Sequence, residues 1–165
     1  MAKKALITGI AGFVGSHLAE LLLNRGFEVY GLCRPRTKRD HIESIANKLH
    51  LEDADLLDTH SLYTTLSRIK PDYIFHLAAQ SFVPTSWVSP SVTLEVNIVG
   101  SANLFEAVRQ AVIDSVIQIA CSSEEYGLVH ENELPINEDN PLRPLSPYAV
   151  SKVAMDYLGY QYFQS

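Results

Sequence analysis

Tyr148 and Lys152 are the residues of this sequence whose types and spacing best suit acid–base chemistry. A phenol and an ammonium four residues apart on a helix lie on one face, so the two groups can act together. A phenol with an ordinary pKa of about 10 needs a pKa about three lower to work near neutral pH, which costs roughly 4 kcal/mol. A cation about 4–5 Å away supplies roughly 3–4 kcal/mol at an effective dielectric constant of ~20. We therefore expect Lys152 to lower the pKa of Tyr148; the alternative is an incidental pair on a helix face.

Ser122 and Glu124 follow an apolar, strand-like run at 115–121. In parallel sheets, ligands bind at the edge where the strands end, which is where these two residues are expected to lie. Ser122 could hydrogen-bond a substrate hydroxyl beside Tyr148, and Glu124 could move a second proton. The alternative for Glu124 is a loop carboxylate without a role. For Glu125 we predict no role, because adjacent residues on a strand face opposite ways.

Three glycines, Gly9, Gly12 and Gly15, lie between a predicted strand and a predicted helix. In a dinucleotide-binding turn the first glycine allows the sharp bend, the second lets the backbone approach a pyrophosphate, and the third allows close helix packing. The start of the helix adds free N–H groups and partial positive charge. We predict a nucleotide-cofactor site here, against the alternative of a purely structural turn.

The residues after the second predicted strand indicate which cofactor binds. A carboxylate at this point would accept the ribose 2′-hydroxyl of NAD, but the chain instead runs Cys33-Arg34-Pro35-Arg36-Thr37-Lys38-Arg39. A guanidinium suits a 2′-phosphate, so Arg34 favours NADP, with NAD as the alternative. The alternative is that these residues form a solvated basic loop without a role in binding. An oxidised nicotinamide would add a second positive charge beside Tyr148.

The elements that must position these residues alternate between strand and helix. Hydrophobic spacing predicts strands at 4–8, 28–33, 49–52, 72–78 and 115–121, and helices at 12–24, 59–69, 92–111 and from Tyr148 onward. Ser146 is the expected N-cap of the last helix, with Pro147 at its first position. A polar, proline-bearing loop connects Ser123 to Pro144. This alternation predicts an α/β fold, a Rossmann-like doubly wound parallel sheet.

Composition excludes several other classes of protein. The 165 residues are 47% hydrophobic and 19% charged, typical of one soluble globular domain. A formal net charge of −6 gives no basic surface for nucleic acid or an anionic membrane. Cys33 and Cys121 both lie in apolar runs and are expected to be buried, reduced thiols of a cytoplasmic protein. The basic, apolar start superficially resembles a signal peptide, but its regularly spaced glycines favour the nucleotide turn.

No metal site is expected, because the histidines and cysteines lack ligand spacing. We predict that His76, inside a strand, is a satisfied core residue. The acidic residues of the long loop are expected to form a solvated surface: Glu131, Glu133, Glu138 and Asp139.

The motifs together resemble the extended short-chain dehydrogenase/reductase family, in particular its sugar-nucleotide enzymes. The segments that carry the resemblance are Leu6-Ile7-Thr8-Gly9-Ile10, Leu77-Ala78-Ala79-Gln80-Ser81, Ser123-Glu124-Glu125-Tyr126-Gly127-Leu128-Val129 and Ser146-Pro147-Tyr148-Ala149-Val150-Ser151-Lys152. The resemblance implies that the catalytic set is Ser122, Glu124, Tyr148 and Lys152. It implies a cofactor-binding set of Gly9, Gly12, Phe13, Val14, Gly15, Arg34, Asp55, Leu56, Leu77, Ala78, Ala79, Tyr148 and Lys152.

Two branches of that family are similar to the sequence. Its motifs look like those of the GDP-mannose 4,6-dehydratases, whereas Phe13-Val14, Ser86-Trp87 and Asn97 look more like the GDP-4-keto-6-deoxymannose reductases. Related nucleotide-sugar epimerases are a further alternative. All three readings imply a nucleotide sugar, with a GDP-sugar favoured, as the substrate.

The resemblance also implies an organisation for the chain. Residues 1–165 are expected to form an NAD(P)-binding domain that lacks the family's C-terminal substrate domain and has negligible turnover alone. The helices at 92–111 and from Tyr148 are expected to pair with a second subunit in a homodimer. A nucleotide-sensing module without chemistry is the alternative of another class, against which Tyr148 and Lys152 argue, since a sensor needs no proton shuttle.

Overall fold

The computed structural model describes residues 2–165, which divide into two units. The first unit takes in the chain up to Ala78 together with Asn103–Ala120. The second consists of Ala79–Ala102 and Cys121–Ser165. That residues 1–165 form one cofactor-binding domain stays a prediction.

A five-stranded parallel sheet lies in the first unit. Its strands are β1 (Lys4–Thr8), β2 (Glu28–Cys33), β3 (His50–Asp53), β4 (Tyr73–His76) and β5 (Val116–Ile119). The spatial order is β3-β2-β1-β4-β5, the order of the Rossmann fold. Helices flank the sheet, so the predicted α/β, Rossmann-like fold is confirmed. The strand order reverses between β1 and β4, and ligands of such folds bind outside the carboxyl ends of the strands at this point.

The central strand β1 is covered on both faces. Ala5, Leu6 and Ile7 are all fully buried, although successive side chains of a strand point to opposite faces. Near-continuous hydrophobicity is what a parallel strand covered on both sides requires. One side of the sheet packs on a single cluster of buried residues: Ala5, Ile7, Ile10, Ala11, Ala19, Leu22, Val29, Cys33 and Ile42.

Six α-helices accompany the strands in residues 2–165. They are α1 (Phe13–Asn24), α2 (Thr59–Ile69), α3 (Val83–Val88), α4 (Pro90–Leu94), α5 (Gly100–Gln110) and α6 (Pro147–Gln164). Asp58 caps α2 by accepting the backbone N–H groups of His60 and Ser61, and Ser146 caps α6 as predicted. The predictions for α1, α2 and α6 are correct to within a residue or two.

Other boundaries differ from the prediction. The predicted helix 92–111 corresponds to a continuous helical stretch over 90–110, in which a π-helical segment, Glu95–Val99, that was not predicted separates α4 from α5. A 3₁₀ segment at Asp40–Lys48 and the helix α3 were not predicted. The predicted strands 72–78 and 115–121 extend beyond β4 and β5, since apolar residues continue past the last ladder hydrogen bonds.

The two cysteines differ in their exposure to solvent. Cys33 is buried as predicted, but Cys121 lies at an exposed position after β5, the edge strand of the sheet, so its predicted burial is wrong. Both thiols are free.

Among residues 2–165, no helix combines the length and apolarity that crossing a membrane requires.

His76 and Thr8 join the ends of β4 and β1. The hydroxyl oxygen of Thr8 accepts the backbone N–H groups of Leu77 (3.2 Å) and Ala78 (3.0 Å) and lies 2.8 Å from Nδ1 of His76. With both lone pairs occupied, the hydroxyl must donate its proton to Nδ1. His76 is fully buried and its Nδ1 is an acceptor, so the prediction of a satisfied core histidine is confirmed.

The Thr8→Val substitution is expected to destabilise the protein by about 1–3 kcal/mol, because it keeps the shape of the side chain but leaves buried polar groups without partners. Chemical denaturation measures the change. Thr64→Val, at an exposed position of α2, is the control and is expected to be near neutral. Equal midpoints for the two variants would contradict this account.

Candidate active site

The turn between β1 and α1 has a backbone that only glycine fits. Gly9 has φ +74°, and a Cβ added there would lie 3.0 Å from the backbone nitrogen of Ala78. A Cβ added to Gly15 would lie 2.4 Å from the carbonyl oxygen of Gly9 and 2.7 Å from Cα of Ile10. The turn is therefore closed by backbone-to-backbone contact, as a phosphate-binding turn of this fold requires.

The start of α1 leaves its backbone donors available. Gly12 is the N-cap and provides no side-chain cap, and the first turn of the helix has no acidic residue. Phe13 and Val14, the first two helical residues, expose 69% and 60% of their surface. Free N–H groups and the positive end of the helix dipole are the features that bind phosphate oxygens.

The other predicted cofactor residues of the first unit lie at strand ends. Arg34 is exposed directly after β2. The carboxylate of Asp55 accepts the backbone N–H of Leu57 at 3.0 Å. Leu56 is buried, and its carbonyl accepts a hydrogen bond from the side chain of Asn103 at 2.9 Å. Leu77 and Ala78 follow β4 and are held by Thr8, whereas Ala79 belongs to the second unit.

In the second unit, the start of α6 carries the acid–base pair. The hydroxyl of Ser146 accepts the backbone N–H of Ala149 at 3.0 Å, which fixes the first turn. Tyr148 and Lys152, one turn apart, expose only 9% and 3% of their surface. Nζ of Lys152 lies 5.8 Å from the centroid of the Tyr148 ring. The predicted pair therefore shares one buried face of the helix.

Ser122 and Glu124 join this pair within the second unit. The side chain of Ser122 lies close enough to Tyr148 to lower the pKa of the phenol. The Ser122 hydroxyl accepts the backbone N–H of Glu124 at 3.2 Å, so its proton is available to donate to the phenol oxygen. Ser146 donates a hydrogen bond of 3.3 Å to the carboxylate of the exposed Glu124. The structure thus brings together all four residues predicted as catalytic.

The pKa of Tyr148 differs from the expectation. Burial raises it above its usual value, the hydrogen bond with Ser122 lowers it, and the negative charges of Glu124 and Glu125 raise it further. The protein groups therefore raise the pKa of Tyr148, against the expectation that Lys152 lowers it, and burial is the largest cause. Burial also lowers the pKa of Lys152, against the opposing effect of Cys121 and Glu125.

A buried amide network supports the start of α6, and the sequence analysis missed this network. Asn97, fully buried in the π-helical segment, accepts the backbone N–H of Gln80 at 2.7 Å. Its amide donates to the hydroxyl of Ser151 at 2.8 Å, and Ser151 donates to the carbonyl of Tyr148 at 2.6 Å. The sequence identified Asn97 only through its resemblance to a family branch, since hydrophobic spacing does not reveal a widened helical turn.

Glu125 was assigned no role on the argument that adjacent residues of a strand face opposite ways. Residues 122–125 instead form a 3₁₀ turn at Ser123–Glu125, in which Glu125 is buried and its carboxylate accepts the backbone N–H of Ser122. The premise for the prediction is wrong, because β5 ends at Ile119. The sequence signal was the Ser-x-x-Glu spacing of Ser122 and Glu125, which is that of a capping box.

The long loop before α6 is held by an ion pair. Arg143 contacts both carboxylate oxygens of Glu133 at 2.7 and 2.8 Å and also donates to the carbonyl of Leu128 at 2.8 Å. The prediction that Glu133 belongs to a solvated acidic surface is wrong. The Arg143 hydrogen bonds lower the pKa of Glu133 from 4.5 to about 2.

This ion pair gives the loop a defined pH dependence. A carboxyl whose pKa is lowered in the folded state stabilises that state above its unfolded pKa of 4.5 and loses the contribution as pH falls through about 2. The melting temperature of Arg143→Gln is therefore expected to lie below that of the wild-type protein above pH 4.5, and the difference should shrink towards pH 2. Lys48→Gln, an exposed control, should show no such convergence. A pH-independent difference for Arg143→Gln would contradict the assignment.

Across residues 2–165, no three side chains among histidine, cysteine, aspartate and glutamate come together in a way that could hold a metal ion.

Comparisons with known proteins agree with the fold and the motifs. A family model described as GDP-mannose 4,6 dehydratase matches residues 6–165. The GDP-mannose 4,6-dehydratase of Yersinia enterocolitica is 41% identical over 99% of this chain and 46% of its own length. The UDP-glucose 4-epimerase from Brucella ovis in complex with NAD is 26% identical, with a TM-score of 0.90 over 99% of this chain and 49% of that chain. RMD from Pseudomonas aeruginosa, complexed with NADPH, is 32% identical, with a TM-score of 0.80 over 99% of this chain and 50% of that chain.

The strand order, the glycine turn and the structural matches are those of the extended short-chain dehydrogenase/reductases, in the epimerase and dehydratase branch. The family resemblance predicted from the motifs is therefore confirmed. Within this class, the chain belongs to the GDP-mannose 4,6-dehydratase family. It spans about half the length of the curated relatives it matches.

Proposed function

We propose that this chain provides the cofactor-binding domain and acid–base residues of a GDP-mannose 4,6-dehydratase. The observation that carries the proposal is the placement of two buried side chains one turn apart on α6, with Nζ of Lys152 5.8 Å from the centroid of the Tyr148 ring. The family match over residues 6–165 supports the substrate, GDP-mannose. The product would be GDP-4-keto-6-deoxymannose.

The glycine turn fits a dinucleotide cofactor. Its contacts leave no space for a Cβ at Gly15, and the uncapped start of α1 presents free N–H groups. Gly9, Gly12, Phe13, Val14 and Gly15 would hold the pyrophosphate. The remaining cofactor residues in this proposal are Arg34, Asp55, Leu56, Leu77, Ala78, Ala79, Tyr148 and Lys152.

NADP is the proposed form of the cofactor. Arg34 is exposed at the end of β2, where a guanidinium can form two hydrogen bonds with a 2′-phosphate. RMD, complexed with NADPH, supports this choice, whereas the epimerase complexed with NAD supports the alternative. When bound, the nicotinamide supplies an acceptor, and later a donor, for hydride.

The protein groups would handle the protons of the reaction. Tyr148 accepts the proton of the sugar 4-hydroxyl, Ser122 orients that oxygen, and Lys152 holds the cofactor ribose. The ketone that forms at carbon 4 acidifies the proton on carbon 5. Glu124 would remove this proton and pass it to the hydroxyl that leaves carbon 6 as water, and its exposed carboxylate suits contact with a substrate. The product would be complete once carbon 6 has gained the hydride and carbon 5 a proton. Because Tyr148 must lose a proton while its pKa is raised, a bound cationic nicotinamide would favour the phenolate.

The test uses the complete gene product with GDP-mannose and no added NADPH. Appearance of a 4-keto product supports the dehydratase, and no conversion overturns it. The second candidate is a GDP-4-keto-6-deoxymannose reductase, which the apolar Phe13 and Val14 favour by resemblance. That activity would consume NADPH with the 4-keto sugar, with Tyr148 donating the proton.

We also propose a cytoplasmic homodimer that acts on nucleotide sugars. Two observations support it: the thiols of Cys33 and Cys121 are free, and α6 exposes large apolar side chains at Tyr157, Tyr160 and Phe163. Sedimentation velocity of the complete gene product distinguishes a dimer from a monomer.

A further inference from the structure

Glu125 forms one half of a reciprocal cap at the end of the β5 segment. Its side chain is 6% exposed, and its Oε1 accepts the backbone N–H of Ser122 at 2.9 Å. The Ser122 hydroxyl in turn accepts the backbone N–H of Glu124 at 3.2 Å. Two side chains therefore fix the start of the three-residue 3₁₀ turn.

The cap determines what the Ser122 hydroxyl can do. Because its oxygen already accepts the Glu124 N–H, the hydroxyl is oriented with its proton free to donate. The side chain of Ser122 lies close to that of Tyr148, whose pKa it lowers. Glu125 thus acts on the phenol through Ser122, without needing to contact a substrate.

The carboxyl of Glu125 also lies among the charged groups of α6 and the preceding segment. The titratable groups that interact with it are Cys121, Tyr148, Lys152 and Asp156. Asp156 is held by the thiol of Cys121 at 3.8 Å. Negative charge on Glu125 raises the pKa of both Tyr148 and Lys152, and burial raises the pKa of Glu125 itself.

We propose that Glu125 is a positioning residue for the reaction: it fixes Ser122 through the cap, and it places a buried carboxylate in the 3₁₀ turn that packs against α6. This inference rests on the proposed function for its role in turnover. The two contributions are separable, because an amide at position 125 keeps the hydrogen-bond acceptor but removes the charge.

The test compares Glu125→Gln and Glu125→Ala with Glu131→Gln, a change at an exposed glutamate of the same unit. Tyrosine labelled with ¹³C at Cζ reports the titration midpoint of each phenol by NMR, and Tyr148→Phe assigns the signal. Glu125→Gln is expected to lower the midpoint of Tyr148, whereas Glu131→Gln leaves it unchanged. A purely structural cap would not move this midpoint.

Amide hydrogen exchange at Ser122 tests the cap. Glu125→Ala is expected to speed exchange by about tenfold, and Glu125→Gln is expected to keep most of the protection. An unchanged Tyr148 midpoint in a folded Glu125→Gln protein overturns the proposal, as does unchanged Ser122 exchange in Glu125→Ala. If Glu125→Ala does not fold, the Tyr148 midpoint in Glu125→Gln decides alone.

These readouts need no turnover. If neither the Tyr148 midpoint nor the Ser122 exchange changed, the dehydratase proposal would still stand. Absence of a 4-keto product from GDP-mannose would overturn the dehydratase proposal but would not affect either measurement.

Discussion

Replacing Tyr148 with phenylalanine is expected to lower the rate of GDP-mannose conversion by roughly 10²–10⁴-fold while leaving NADP affinity nearly unchanged. The buried ring at the start of α6 is retained, and only the phenol hydroxyl is lost. Steady-state rates of the complete gene product, with NADP affinity from calorimetry, measure the two effects separately.

Tyr63→Phe is the matched control, because it removes a phenol hydroxyl from an exposed position of α2. Its rate should equal that of the wild-type protein. Full activity of Tyr148→Phe would exclude the proposed proton transfer, and an equal loss in the control would show that the effect is not specific to α6.

The Gly15→Ala substitution should both destabilise the protein and weaken its binding of NADP. The added methyl group would meet the carbonyl oxygen of Gly9 at 2.4 Å and Cα of Ile10 at 2.7 Å. Backbone atoms cannot move aside as a flexible side chain can, so the helix must separate from the turn. We expect a loss of about 1–3 kcal/mol in the free energy of unfolding, and at least about a tenfold weaker NADP affinity.

Gly12→Ala is the graded comparison within the same turn. A Cβ there meets only the carbonyl oxygen of Gly9, at 3.2 Å, so the loss of stability should be smaller. Thermal melts with and without NADP measure both effects. A Gly15→Ala protein as stable and as tightly binding as Gly12→Ala would show that the close approach at Gly15 has no function.

Local sequence patterns were sufficient to predict most of the strands and helices of the first unit. Strands 4–8 and 28–33 and helix 59–69 were predicted with the bounds that the structure has, because a buried parallel strand and an amphipathic helix each carry their own periodicity. The cap at Ser146 was predicted for the same reason, since its hydroxyl bonds a residue three positions away.

Features that depend on contacts distant in sequence were not predicted. The hydrogen bonds of Asn97 with Gln80 and Ser151 cross 17 and 54 positions, and the pairing of Glu133 with Arg143 crosses 10. The predicted direction of the shift in the Tyr148 pKa was wrong for a related reason. Spacing identifies Lys152 as a neighbour, but the extent of burial and the positions of Glu124 and Glu125 come from the tertiary fold.

The π-helical segment Glu95–Val99 has a consequence for how variation in chain length should be understood here. A π turn contains one residue more than the α-helical turn that would span the same rise. Deleting a single residue between 95 and 99 would therefore produce a more regular helix, yet it would rotate the Asn97 amide by about 100° away from Gln80 and Ser151. Among homologues, a one-residue gap in this segment would therefore indicate that the hydrogen bonds supporting α6 are lost.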